Sequence, residues 1–215
     1  MITLHYFPST ASMAPHILFE EMGLPFKLEL VDRANNGHKS PAYLALNPNG
    51  LIPVLQDGDL VLYETAAILL HLADTHPEAG LAPALGTAER AHFYKWLMWL
   101  TNTLQPALIN YFYPDRLVAT GNTEGAAQVK QCAEARVGEL LQQLGAEFAR
   151  HGGPWLLGER YSALDPFAFT LCRWTRGFTL PARELPQLQG FLQGMLARPA
   201  LQRALATEQL PQPWI

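Results

Sequence analysis

Residues 1–80 and the rest of the chain carry different hydrophobic rhythms. Ile2-Thr3-Leu4-His5-Tyr6 alternates, the period of a half-buried strand. After Ser9, Thr10 and Ser12, Pro15 opens a helical pattern carried by Ile17, Leu18, Glu21 and Met22, and Gly23 stands where a helix stops. Phe26 to Leu30 alternates again, and residues 35–39 read as a polar loop. Ile52-Pro53-Val54-Leu55 and Leu60-Val61-Leu62-Tyr63 flank Asp57-Gly58-Asp59, a hairpin signal. A helix follows from Glu64 to about His76, with Ile68, Leu69 and Leu72 on one face. The order is β-α-β-α-β-β-α. A strand–helix–strand unit predicts a parallel pair and the hairpin adds antiparallel strands, so the sheet is mixed, with about four strands.

Residues 77–83 read as a linker, and no strand pattern follows it. From Thr87 the apolar positions Phe93, Trp96, Leu97 and Leu100 recur at three and four, and Pro106 should kink or break that helix. A second long helix is predicted over Thr123 to Ala149. Two more run from Ser162 to about Phe178 and from Pro186 to about Ala206, the last broken near Pro199. The expected fold is an α/β domain over residues 1–80 and an all-α domain over residues 87–210. The tail from Pro211 to Ile215 reads as loosely attached.

Composition narrows the function. Apolar residues make up 49% of the 215, enough for a real core, whereas only 16% are charged. So few charges leave apolar surface that a subunit interface would help hide. The net charge is −4 without any Lys/Arg run, which argues against a nucleic-acid partner. Cys132 and Cys172 lie far apart, with no CxxC and no metal-ligand spacing, and are expected to be buried thiols in a reducing compartment. The N-terminus has no basic, apolar leader, and no apolar run reaches the roughly 18 residues of a membrane span, so a cytoplasmic location is expected.

Three motifs carry candidate chemistry. Pro53 interrupts a strand-like run, where a proline cannot donate to the ladder. It either starts the strand after the Asn47-Pro48-Asn49-Gly50 turn or sits in a cis peptide after Ile52. The second geometry would leave the Ile52 N–H and C=O free to pair with an extended peptide. Glu64-Thr65 ends a strand and begins a helix, where free N–H groups attract a carboxylate and Glu64 can meet an ammonium group. An ordinary acidic helix start is the plain alternative. Ser162-Ala163-Leu164-Asp165 has capping-box spacing with Asp in the acidic place, a structural feature.

In this order and at these intervals, these segments resemble the glutathione transferase family over nearly the whole chain. The match runs through Tyr6, Asn47-Pro48-Asn49-Gly50-Leu51-Ile52-Pro53-Val54-Leu55, Glu64-Thr65-Ala66-Ala67-Ile68, and Gly158 with Ser162-Ala163-Leu164-Asp165. The resemblance implies a thioredoxin-like glutathione-binding domain, a helical C-terminal domain, glutathione as cosubstrate without a metal, and a homodimer. It assigns the Leu51-Ile52-Pro53 stretch to glutathione, with Ile52 supplying backbone bonds to the cysteinyl part, and gives Glu64 and Thr65 the γ-glutamyl end. His38 falls where theta-like members carry a histidine that meets the glycine carboxylate. Lys39 could do the same work, and a solvated loop pair is the alternative.

The resemblance leaves the thiolate-holding group open. The segment Ala11-Ser12-Met13-Ala14-Pro15-His16 looks most like bacterial, beta-like members, which carry a cysteine where Ala11 stands and a histidine near Gln105. Without both, a hydroxyl must serve. Ser12 is the first choice, because it precedes His16 by four residues, the theta-like spacing to a basic residue; a plain helix cap is its alternative role. Ser9 and Thr10 come next. Tyr6 supplies the hydroxyl in other classes, but here it ends a buried strand. The implied second substrate is a hydrophobic small-molecule electrophile. Trp99, Tyr111, Phe112, Tyr113 and Trp174 come from the helices expected to face it; aromatic residues at helical spacing are mostly core, so one or two of them are expected at the site. Arg116 and Arg173 would suit an anionic substrate, with a solvated surface position as the alternative. Another glutathione-dependent reaction (disulfide-bond reduction, isomerisation, dehalogenation, ether cleavage) or a non-enzymatic interaction role are the competing readings.

Overall fold

The computed structural model describes all 215 residues. Strands β1 (Ile2–Tyr6), β2 (Phe26–Leu30), β3 (Val54–Asp57) and β4 (Leu60–Tyr63) form one sheet in the order β2-β1-β3-β4. β1 runs parallel to β2, with Leu4 opposite Leu28, and antiparallel to β3, with Leu4 opposite Leu55. Leu4 and Leu55 are wholly buried, so the pleat puts the sequence's apolar alternates in the core. Helices α1 (Met13–Met22) and α3 (Thr65–Thr75) pack together, and the short α2 (Pro41–Leu46) lies between β2 and β3. Helix α1 begins two residues before Pro15, which therefore sits in its first turn, where a missing N–H costs nothing. Gly23 ends α1 in the left-handed conformation and returns its N–H to Phe19 O.

The second half is helical throughout: α4 (Ala88–Trp99), α5 (Gln105–Phe112), α6 (Thr123–His151), α7 (Leu164–Trp174), α8 (Pro186–Leu196) and α9 (Pro199–Thr207). A π-helical turn over Leu100–Leu104 separates α4 from α5. Pro106 has no N–H to return to the preceding turn, and the Gln105 N–H bonds five residues back, to Leu100 O. The expected interruption is thus a widened turn. Pro199 restarts the chain as α9, as its position predicts.

The two halves share one core. A single cluster of 43 buried apolar residues runs from Leu4 on β1 to Leu205 on α9. Helix α1 packs on α7 and α9, and Glu20 and Glu21 on its outer edge pair with Arg203 of α9 and with Arg198 just before it. The linker is tied down as well: Leu81 is buried and its C=O accepts from Ala163 N–H at 2.8 Å. The tail departs from expectation, because Trp214 and Ile215 are half-buried against the core and Trp214 Nε1 donates to Leu210 O at 3.1 Å. Large side chains here gain more from burial than the short tail loses in freedom. No helix is long and apolar enough to cross a membrane.

Candidate active site

A cleft of about 640 Å³ opens between the sheet domain and the helices. Three loops of the first half form one wall: residues 7–11 after β1, Arg33 to Lys39 after β2, and Gly50 to Ile52 before β3. The last two are pressed together at Gly50, where φ is +60° and a Cβ would come within 2.7 Å of His38 O and Lys39 Nζ. Only glycine fits that approach. The following residue is pinned from behind, since Leu51 O accepts from Tyr43 Oη and Asn47 Nδ2, both at 2.9 Å. The Ile52–Pro53 peptide is cis, the sharper of the two sequence readings, and Ile52 forms no backbone hydrogen bond of its own. Leu51, Ile52, His38 and Lys39 therefore meet at the cleft. Pro53 lies buried just behind it. Desolvation, with Arg33 and Lys39 nearby, holds His38 below the usual histidine pKa, which favours a neutral hydrogen-bonding ring.

Glu64 and Thr65 do not line the cleft. Glu64 is exposed at φ +75° immediately before α3, and Thr65 is its first, buried residue. They lie at a helix N-terminus, where the sequence put them.

The loop after β1 redistributes the candidate hydroxyls. Ser12 is wholly buried and absent from the cleft: Phe7 N–H donates to its Oγ at 3.3 Å, and Oγ donates to Phe7 O at 3.1 Å. It makes no side-chain cap to α1 either. Its hydroxyl closes the loop, because the chain turns back over it between residues 7 and 12. Thr10 reaches the cleft but donates its proton to Phe7 O at 2.7 Å. Ser9 also lines the cleft, at φ +64°, and the second half holds all of its polar atoms. Its N–H donates to Glu208 Oε2 at 2.9 Å, its O accepts from Trp174 Nε1 at 3.2 Å, and its Oγ accepts from Arg173 Nη1 at 2.6 Å. The Ser9 hydroxyl proton is committed to no protein acceptor.

Behind Ser9 lies a buried charge network. Glu208, just past α9, also takes His16 Nδ1 at 2.9 Å, both side chains fully buried. A carboxylate only accepts, so that nitrogen carries the proton. Arg173 was expected to greet a substrate; it is 1% exposed and stands behind the loop. Burial, then Arg176, pull its pKa down to about 10 against the attraction of Glu208. Tyr6 packs against the core beside His16 and stays outside the cleft.

The helical wall supplies Tyr111, Phe112, Tyr113 and Trp174, more than the one or two expected, together with Arg116. Trp99 packs on the core instead. Gln105 and Ala11 both line the cleft, so the positions of a beta-like histidine and cysteine face it without either group. Cys172 is buried and its thiol is pushed up to about 12 by desolvation, and Cys132 is exposed on α6. Sequence reasoning missed Arg33, Ile109, Arg176, Phe178 and Glu208. None sits in a motif, and only the fold brings them to the site.

Fold and site define a thioredoxin-like domain whose cis-proline loop faces a helical domain across a shared cleft. Residues 8–75 match the family described as the glutathione S-transferase N-terminal domain, and residues 99–199 its C-terminal domain. Glutathione S-transferase GST-4.5 of Xanthomonas campestris pv. campestris is 32% identical over 94% of this chain and 97% of its own. Glutathione S-transferase GstA of Escherichia coli O157:H7 is 32% identical over 96% and 98%. A glutathione transferase homologue from Sulfitobacter, solved with bound glutathione, superposes with a TM-score of 0.89 at 30% identity, over 98% of this chain and 99% of that one. The chain belongs to the glutathione S-transferase family, and with that membership it is a glutathione-dependent enzyme.

Proposed function

We propose that this protein binds glutathione against the loops of its first half, ionises the thiol beside Ser9, and transfers the sulfur to a small electrophile held by the aromatic wall. The observation that carries the reading is Ser9 itself, a cleft hydroxyl that receives a hydrogen bond from a buried arginine and keeps its own proton free. A free thiol with a pKa near 8.5 is only about 3% ionised at pH 7. A hydroxyl polarised by a guanidinium donates strongly to a thiolate and lowers that pKa. Ile52 presents an unpaired backbone N–H and C=O for the cysteinyl part, and His38 and Lys39 stand beside it for the glycine carboxylate. The γ-glutamyl end extends out of the cleft past Ile52 to the α3 N-terminus, where Glu64 and Thr65 take it. Holding both reactants in one cleft converts a bimolecular attack into a local one. With Ala11 in the cleft and no cysteine there, the reacting sulfur is glutathione's own, which speaks against shuttling a disulfide through the protein.

The test is a titration of purified protein with glutathione, followed by calorimetry and by thiolate absorbance against pH. Wild-type protein should bind and shift the thiol pKa down by at least one unit. Glu64→Ala should lose most of the affinity. Ser9→Ala should keep the affinity, lose the pKa shift and turn over about tenfold or more slowly. A pKa shift that survives in Ser9→Ala but vanishes in Thr10→Ala or Ser12→Ala would return the role to those hydroxyls.

A homodimer belongs to the same proposal. Leu60 and Val61 are exposed on β4, the unpaired edge strand, and Tyr94 and Met98 are exposed on α4. Exposed apolar side chains on an open edge invite a partner.

A further inference from the structure

The cleft is far more basic than the molecule. The chain has a net charge of −4, yet the cleft walls hold Arg33, Lys39, Arg116 and Arg176 and not one Asp or Glu. The ion pairs of the protein lie elsewhere and engage none of these four side chains. Arg33 and Arg116 come from opposite domains and meet the same tyrosine. Arg33 Nη2 lies 3.5 Å from Tyr113 Oη, and the Arg116 guanidinium stands 4.0 Å from the centre of the Tyr113 ring. Like charges gathered this way repel unless an anion joins them. The proposed glutathione pose uses His38 and Lys39 for its glycine carboxylate. Arg176 is turned back on its own helix end, where Nη1 donates to Arg173 O at 2.9 Å. Arg33 and Arg116 are left over, beside Tyr113 on the cleft wall that also holds Phe112 and Trp174.

Aromatic faces accept a flat ring, and a guanidinium fork accepts a carboxylate. The geometry points to an electrophile that is an aromatic anion, an aryl ring bearing a carboxylate that Arg116 and Arg33 receive while the ring lies against Tyr113. This inference rests on the glutathione reading above. With 4-chloro-3-nitrobenzoate as the probe, the glutathione thiolate attacks the ring carbon that bears chlorine. A C–S bond forms, the C–Cl bond breaks, and chloride leaves with the bonding pair. The thiol proton has already gone to solvent.

The experiment compares this acid with its neutral methyl ester, each rate divided by the uncatalysed rate with glutathione. The acid should be favoured about tenfold or more in kcat/KM. Arg116→Ala, and more so Arg33→Ala/Arg116→Ala, should erase that preference by raising KM for the acid, and Arg116→Lys should retain part of it. Arg116 is exposed, so its removal leaves the core untouched. Equal corrected rates for acid and ester overturn the inference, as do variants that slow both alike or raise only the KM for glutathione. Calorimetric binding of each compound decides the matter apart from turnover. If neither is conjugated, the glutathione titration decides whether the glutathione reading itself has failed. Tighter binding of the acid that Arg116→Ala abolishes then still upholds the anion site, and equal binding sinks it.

Discussion

Ser9 shows how much one residue in this fold depends on distant ones. Its φ of +64° is unusual for a residue with a Cβ, and three hydrogen bonds from the helical half hold it there. Glycine prefers that conformation, but Ser9→Gly also takes from the buried Arg173 guanidinium its hydrogen-bond acceptor, so the variant should lose about 2 kcal/mol of stability as well as the thiolate shift. Urea unfolding and the thiol titration together separate the two effects. Glu208→Gln keeps the shape but removes the charge that faces His16 and Ser9 N–H. It should cost about 3 kcal/mol in urea unfolding, because His16 and Arg173 are left buried without it. The hydroxyls of residues 9–12 were legible as candidates from their place between the first strand and the first helix. Which of them faces the cleft was not, since the path of a tight turn decides whether an Oγ points inward, as in Ser12, or outward, as in Ser9 three residues earlier. Glu208 was invisible, because nothing local marks an acid past the last helix as the partner of the first loop.

Helix α7 links that loop to the rest of the helical half. It begins at a box in which Asp165 accepts from Ser162 N–H at 2.7 Å and Leu156 N–H at 2.8 Å, and it ends at Arg173 and Trp174, the donors to Ser9. The Ser–Asp spacing was readable in the sequence, and its structural role is as expected. Full burial pushes the Asp165 carboxyl up to about 7 against the pull of those donated bonds. The fold then holds this proton more tightly than the unfolded chain, whose aspartate titrates near pH 4. The stability it contributes is complete below about pH 4 and is lost as pH rises through about 7. Asp165→Asn does not titrate, so the stability of wild type relative to this variant should fall between pH 4 and pH 7, as measured by denaturant unfolding across that range. A flat difference would mean that the donated hydrogen bonds win and the carboxylate is ionised throughout. The element boundaries were legible to within a turn. The π turn before Pro106 was legible only as an interruption, because the proline removes a donor without dictating how the neighbouring carbonyls are reused.

At the scale of the molecule, the sequence divides into two halves but the core does not. Residues from both build one apolar cluster, so neither half is expected to keep its structure when separated. The exposed apolar residues of β4 and α4 set the prediction for assembly. Val61→Lys and Met98→Lys together should shift sedimentation from dimer to monomer while leaving the far-UV circular dichroism unchanged. A wild-type protein that sediments as a monomer at all concentrations would remove the dimer from the proposal. Glu64 is exposed just after β4, so glutathione affinity should weaken in the monomeric variant if the partner shelters that end.

By itself the sequence determined what depends on neighbours along the chain. Alternation and helical spacing set the strands and helices, Gly23 and Pro199 set their ends, and the run from Asn47 to Leu55 marked the loop proposed to hold glutathione. These are local effects of backbone sterics and side-chain burial, and they leave a local trace. Only the tertiary structure decided what meets across the chain. It put Ser9 rather than Ser12 in the cleft, turned Arg173 from a surface cation into a buried donor, brought Glu208 to the first loop, and gathered Arg33 and Arg116 around Tyr113. Such contacts join residues far apart in sequence, where periodicity and spacing carry no information, and packing alone selects the partner.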